Sequence, residues 1–195
     1  MPARSLWMAA AAAVMVSAAV PAGAVPIIYS EQTVGSGTLD GHAFTDANIL
    51  ITAFGDTANL TLPIATLIRN TPVTGTVHVT GIGTDTFTVP VKVELQSDVA
   101  AAISEVGVGF ILGTSTGTHA FAGYALNTTF GPISGGTLDN LHHAFATTGG
   151  SFVLDSTVSH TAIFNASVPE PTSLVVLATG LVALATRRFA ASGRM

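Results

Sequence analysis

Ser115 stands between glycines in Gly113-Thr114-Ser115-Thr116-Gly117, the G-x-S-x-G pattern of a nucleophilic serine. Asp139 and then His142, His143 or His160 follow it in the chain order of an α/β-hydrolase triad. Such a serine needs a strand before it and a helix directly after it, because that sharp turn lifts the hydroxyl above the sheet. Residues 106–112 read as the strand, but residues 118–127 read as a further strand and not as a helix. A Gly/Ser/Thr hairpin loop explains the pattern better, and no residue is assigned a catalytic role. The adjacent pair His142 and His143 cannot jointly hold one ion, since neighbours point to opposite faces of a strand and diverge by about 100° on a helix. Asp40, His42, Asp46 and Asn48 offer calcium ligands around Gly41, yet they lack the EF-hand spacing and read as a solvated turn. No metal site and no cofactor is expected.

The elements that must carry these residues are strands. Residues 25–167 contain 24 threonines with many Val, Ile and Phe, and β-branched and aromatic side chains favour the pleated, half-buried surface of a sheet. Alternation is plain in residues 74–80 and 84–95, which place Val77, Val79, Phe87, Val89, Val91, Val93 and Leu95 on one face, with Thr, Lys92 and Glu94 opposite. Further strands are predicted at 27–34, 47–54, 59–64, 106–112, 119–127, 151–154 and 158–166, and Pro90 belongs at an edge or bulge. Short connecting helices are predicted at 97–105, capped by Ser97, and at 137–144, capped by Thr137. Short strands separated by Gly, Asp, Asn and Thr clusters predict an all-β fold, an antiparallel β-sandwich of jelly-roll or Ig-like type, formed by residues 25–167 as one domain.

Charge and composition exclude several functions. Residues 25–167 carry ten acidic side chains against Arg69 and Lys92 alone, a formal balance of −8 that repels phosphate backbones, so no nucleic-acid partner is expected. The 195-residue chain has no cysteine, which removes disulfides, zinc–thiolate sites, thiol nucleophiles and an acylated lipoprotein cysteine together.

The two ends differ from the middle. Arg4, an apolar run over residues 6–20, and small residues at Ala22 and Ala24 make residues 1–24 a secretory signal peptide with cleavage after Ala24, which implies the Sec translocon and a signal peptidase as partners. Near the other end, Pro169-Glu170-Pro171 form a stiff extended connector, followed by an apolar run over residues 174–186 and then Arg187-Arg188. Thirteen helical residues rise about 20 Å against roughly 30 Å of hydrocarbon, so insertion of this helix is marginal. The arginine pair would stop transfer and keep the last residues on the cytoplasmic side.

The order Pro-Glu-Pro, short apolar helix, arginine cluster over residues 168–188 resembles the PEP-CTERM sorting signal of exported proteins in Gram-negative bacteria. That resemblance implies residence in the inner membrane before processing and recognition by an exosortase, with cleavage near Pro169 to Pro171. Delivery to the cell surface or extracellular matrix would follow, with an extracellular polysaccharide as a candidate partner. The expected layout is a signal helix over 1–24, the β domain over 25–167 and the sorting segment with its hydrophobic helix over 168–195. The role expected of the delivered domain is structural or adhesive and non-catalytic. The alternatives are a carbohydrate- or calcium-binding module and, less favoured, a secreted serine hydrolase.

Overall fold

The structure, a computed structural model, describes residues 24–169. Period-two burial is clearest in the first strand, where residues 27, 29, 31, 33, 35, 37 and 39 are buried while their neighbours face outward, and it recurs over residues 91–96. The described residues form eleven strands: β1 (Pro26–Leu39), β2 (His42–Asp56), β3 (Leu60–Ile64), β4 (Leu67–Val79), β5 (Gly83–Thr86), β6 (Val91–Gln96), β7 (Ala100–Glu105), β8 (Gly109–Ser115), β9 (Phe130–Asp139), β10 (Ala144–Ala146) and β11 (Ser151–Ser167). A 3₁₀ turn, Thr57–Asn59, separates β2 from β3, with the Asp56 carboxylate accepting from the Ala58 N–H at 2.7 Å.

The all-β expectation holds; the sandwich does not. Eight strands pair antiparallel in the order β1-β2-β4-β6-β7-β8-β9-β11, and β11 pairs back onto β1, so one sheet closes on itself as a barrel. The shorter β3 and β5 are side branches on β4, and β10 is one on β11. Closure replaces the jelly-roll or Ig-like sandwich because β1 is long enough to be paired along both sides, to β2 and to β11, leaving it no free edge. An eight-stranded barrel is just wide enough for side chains to fill. Here the filling is Ile27, Ile49, Ile51, Val77, Val93 and Phe164 with their neighbours, all fully buried.

Several local expectations are also corrected. The helix expected at 97–105 is a turn at Ser97 and Asp98, both at positive φ, followed by strand β7. The helix expected at 137–144 is the end of β9, a turn and the start of β10. The strand expected at 119–127 is a run of turns, whose Phe121, Tyr124 and Leu126 are buried. The two strands expected at 151–154 and 158–166 are one, β11. Pro90 lies in the break between β5 and β6. The signal helix and the C-terminal hydrophobic helix fall outside the described residues. Among the described residues no helix is long and apolar enough to cross a membrane.

On the barrel's outer face Glu94 gathers both cations of the domain. Arg69 donates to its Oε1 from Nη2 at 2.6 Å and from Nε at 2.9 Å, and Lys92 Nζ lies 2.9 Å from Oε2. Partial burial pulls the Glu94 carboxyl upward, but the hydrogen bonds and charges of Lys92 and Arg69 outweigh it and hold the group below its ordinary value of 4.5. This contribution is therefore present above the unfolded value and is lost as pH falls through the folded one. Glu94→Gln is expected to cost about 1–2 kcal/mol at pH 7, with the deficit vanishing in acid, as read from urea midpoints across pH.

Candidate functional site

Both ends of the described chain leave the barrel at one rim. The register places Ile28 opposite Ser167 on one side and Phe54 on the other, so the beginning of β1 and the end of β11 are neighbouring strands. Val25 is fastened where it leaves: its N–H donates to Thr57 Oγ1 at 3.0 Å, and its carbonyl accepts from the Thr57 N–H at 3.0 Å. Val168 is fastened likewise, its N–H donating to Thr129 Oγ1 at 3.1 Å. Pro169, directly beyond that bond, is exposed and has no N–H to continue the ladder. Ala24 is exposed at the same rim. Ala22, Glu170, Pro171, Arg187 and Arg188 lie outside the described residues. Among the described residues the Val168 N–H thus makes the last hydrogen bond of the barrel, directly before the Pro169 to Pro171 segment singled out in the sequence.

The rim is closed from inside by residues 116–129. Phe121 meets Phe164 edge to face at 5.6 Å between ring centres, and Tyr124 stacks on Phe130 at 4.2 Å. Tyr29 donates from its hydroxyl to the Leu126 carbonyl at 2.6 Å and accepts from Asn70 Nδ2 at 2.8 Å. Asn70 Nδ2 donates also to the Asp56 carbonyl at 3.0 Å. Burial pushes the Tyr29 hydroxyl up to about 12, against the opposing effect of the Asn70 bond, and it raises the Tyr124 hydroxyl as well. These groups tie the closing loop to β1 and β4.

Deeper in the barrel lies Glu31, fully buried, which accepts from Thr114 Oγ1 at 2.7 Å through Oε2 while Oε1 has no partner. Its strand neighbours are Ile51 on β2 and Phe164 on β11. Desolvation raises its carboxyl well above 4.5, more than the Thr114 bonds lower it, so the folded state holds a proton that the unfolded chain releases. Stability then falls as pH rises from the unfolded value toward the folded one, by up to about 1.4 kcal/mol per pH unit. Glu31→Gln is expected to remove this slope, leaving stability unchanged near pH 4 and raised at pH 8 in denaturant titrations at the two pH values.

The other candidate residues stay apart. Ser115 is the last residue of β8, opposite Ala100 and Gly136, and turns rather than a helix follow it. His142 Nδ1 contacts Asp155 Oδ1 at 3.2 Å, His160 Nδ1 contacts Thr157 Oγ1 at 3.3 Å, and Asp139 pairs in the ladder with Leu112. No helix is available to raise Ser115 above the sheet, so the elbow geometry is missing. Asp40 does not join Asp46: its Oδ1 accepts from Thr147 Oγ1 at 2.7 Å, whereas Asp46 is bonded to Ser36. A carboxylate that the sequence reading did not single out sits beside Asp40. Asp85 accepts from Thr148 Oγ1, from Gly149 N–H at 2.6 Å and from Thr86 N–H at 2.8 Å. Although burial works upward, these bonds hold Asp85 below the usual carboxylate range. Among the described residues no three His, Cys, Asp or Glu side chains come together as a metal site. Glu31 and Asn70 were missed too. Phase was the available signal for Glu31, which shares the parity of Ile27 and Tyr29.

Fold and rim together define a small closed antiparallel barrel followed immediately by a C-terminal tail. Residues 167–188 match the family model of the PEP-CTERM protein-sorting motif. The chain is thus an exported protein carrying that motif, with an exosortase as its processing partner. No curated protein and no solved structure matches it.

Proposed function

We propose that the delivered product is the barrel of residues 25–167 ending between Val168 and Pro171, a non-catalytic domain placed at the cell surface or in the extracellular matrix after its signal peptide and its sorting tail are removed. The observation that carries this reading is the position of the sorting motif, which begins at Ser167, the last residue of the last strand of a closed barrel, and among the described residues meets the core only through the half-buried Val168. The barrel's character supports it. Apolar side chains fill the interior, Phe121 and Tyr124 plug one end, and the outward positions carry many threonine, serine and charged groups beside scattered apolar ones such as Leu50, Phe54 and Ile163, without the continuous apolar band of a barrel that faces lipid. With Arg69 and Lys92 both paired to Glu94, most of the acidic side chains have no cation to balance them. Such a surface keeps a weakly charged chain soluble among other molecules. Fractionation of the native host tests the proposal. The protein is expected in the surface or matrix fraction, and in a host lacking the exosortase it is expected in the membrane fraction with its tail intact. Equal distribution in both hosts contradicts it.

A further inference from the structure

The β3–β4 hairpin stands at the rim from which the tail leaves. Leu62 and Ile64 are exposed to 70% and 61%, more than the other large apolar side chains left exposed among the described residues. Residues 61–66 are all exposed, and no charge occurs from residue 57 to residue 68. A free strand edge here could recruit a second copy, but β3 has only five residues and a register shift between Thr61 and Ile64 that contains Pro63. Short length, irregularity and a missing N–H are the features that block edge pairing.

From the structure we infer that this hairpin is a foot that rests in the surface of a lipid bilayer while the tail is still attached. The inference rests on the sorting reading, in which residues 174–186 enter the membrane. Only residues 169–173 separate Val168, held at the rim by Thr129, from that apolar run. Fully extended, the connection reaches about 20 Å at most. The rim is therefore held close to the bilayer, and the apolar, uncharged element at that rim is the hairpin tip. Exposed Asp98, which lines the hollow beside Leu62 and Ile68, places a carboxylate at the same rim, so the chemistry suits a zwitterionic surface and is opposed by an anionic one. The foot would hold the barrel in a fixed orientation and present Pro169 to a membrane-embedded enzyme.

The chain has no cysteine, so a single introduced one takes a fluorophore uniquely. The full chain is reconstituted in phosphatidylcholine vesicles carrying a lipid-bound quencher, with an environment-sensitive label at Leu62→Cys, at Val108→Cys in the β7–β8 turn of the opposite rim, or at Gly180→Cys within the tail. Expected are blue-shifted, quenched emission at 62 and 180 and unshifted, unquenched emission at 108, with the shift at 62 weakened by phosphatidylglycerol at low salt. Emission at 62 matching that at 108, with 180 quenched, overturns the foot and leaves the sorting reading intact. An unquenched label at 180 overturns the sorting reading and the foot with it. A concentration-dependent shift at 62 without lipid makes a second copy the occupant and overturns the bilayer assignment.

Discussion

Replacing Pro169, Glu170 and Pro171 together by alanine leaves the precursor in the membrane fraction with its tail uncut, while the barrel folds as before. Fold and processing separate in this way because the strand ladder ends at Ser167 and, among the described residues, the last hydrogen bond at the rim is made by the Val168 N–H, ahead of the substituted residues. On the proposed function the three residues act through recognition. Losing about 3 kcal/mol of it would slow cleavage by roughly a hundredfold. Immunoblots of fractionated cells read the outcome directly, since precursor and product differ by the tail. Normal processing of the variant would remove the assigned role of the motif. Arg187→Ala with Arg188→Ala is the complementary change, expected to weaken retention of the tail on the cytoplasmic side.

Gly37→Val is expected to prevent the barrel from closing. A Cβ at this position would collide with the Val153 carbonyl oxygen and lie 3.1 Å from the Phe44 ring, and only backbone movement can relieve the first contact. Gly37 sits in the seam where β1 meets β11, beside register shifts on both of its sides. Forcing the seam apart exposes Leu39, Phe152 and Leu154 together, a loss of at least about 4 kcal/mol, comparable to the whole stability of many domains. Circular dichroism and solubility of the purified variant measure it. Gln32→Ala, on the exposed face of the same strand, is the control and is expected to change stability by less than about 0.5 kcal/mol.

How much of this was legible in the chain follows from what alternation can encode. Val77, Val79, Val91, Val93 and Leu95 are buried as the period-two pattern requires, and Lys92 and Glu94 face outward. Alternation tells inside from outside, but it reads the same in a sandwich and in a barrel. The deciding fact is that β1 pairs with β11, a contact between the two ends of the domain that no local pattern announces. Residues 97–105 misled for a different reason. Their alanines look like helix formers, yet Ala102 is small because Gly113 lies against it across the β7–β8 pairing, where a Cβ on the glycine would come within 2.6 Å of the alanine's. Residues 119–127 have strand-like composition because their aromatic side chains plug the rim, and burial without ladder pairing looks apolar in the same way. The sorting motif needed no fold to be recognised, since its three parts are contiguous in the sequence.

Mass spectrometry of the mature protein from its native host, reading both termini, is the most direct test that the barrel is the product and its flanks are removed. A first residue of Val25 and a last residue between Val168 and Pro171 are expected, with any added mass at that C-terminus reporting attachment. A native product that still carries Arg188 contradicts the assignment.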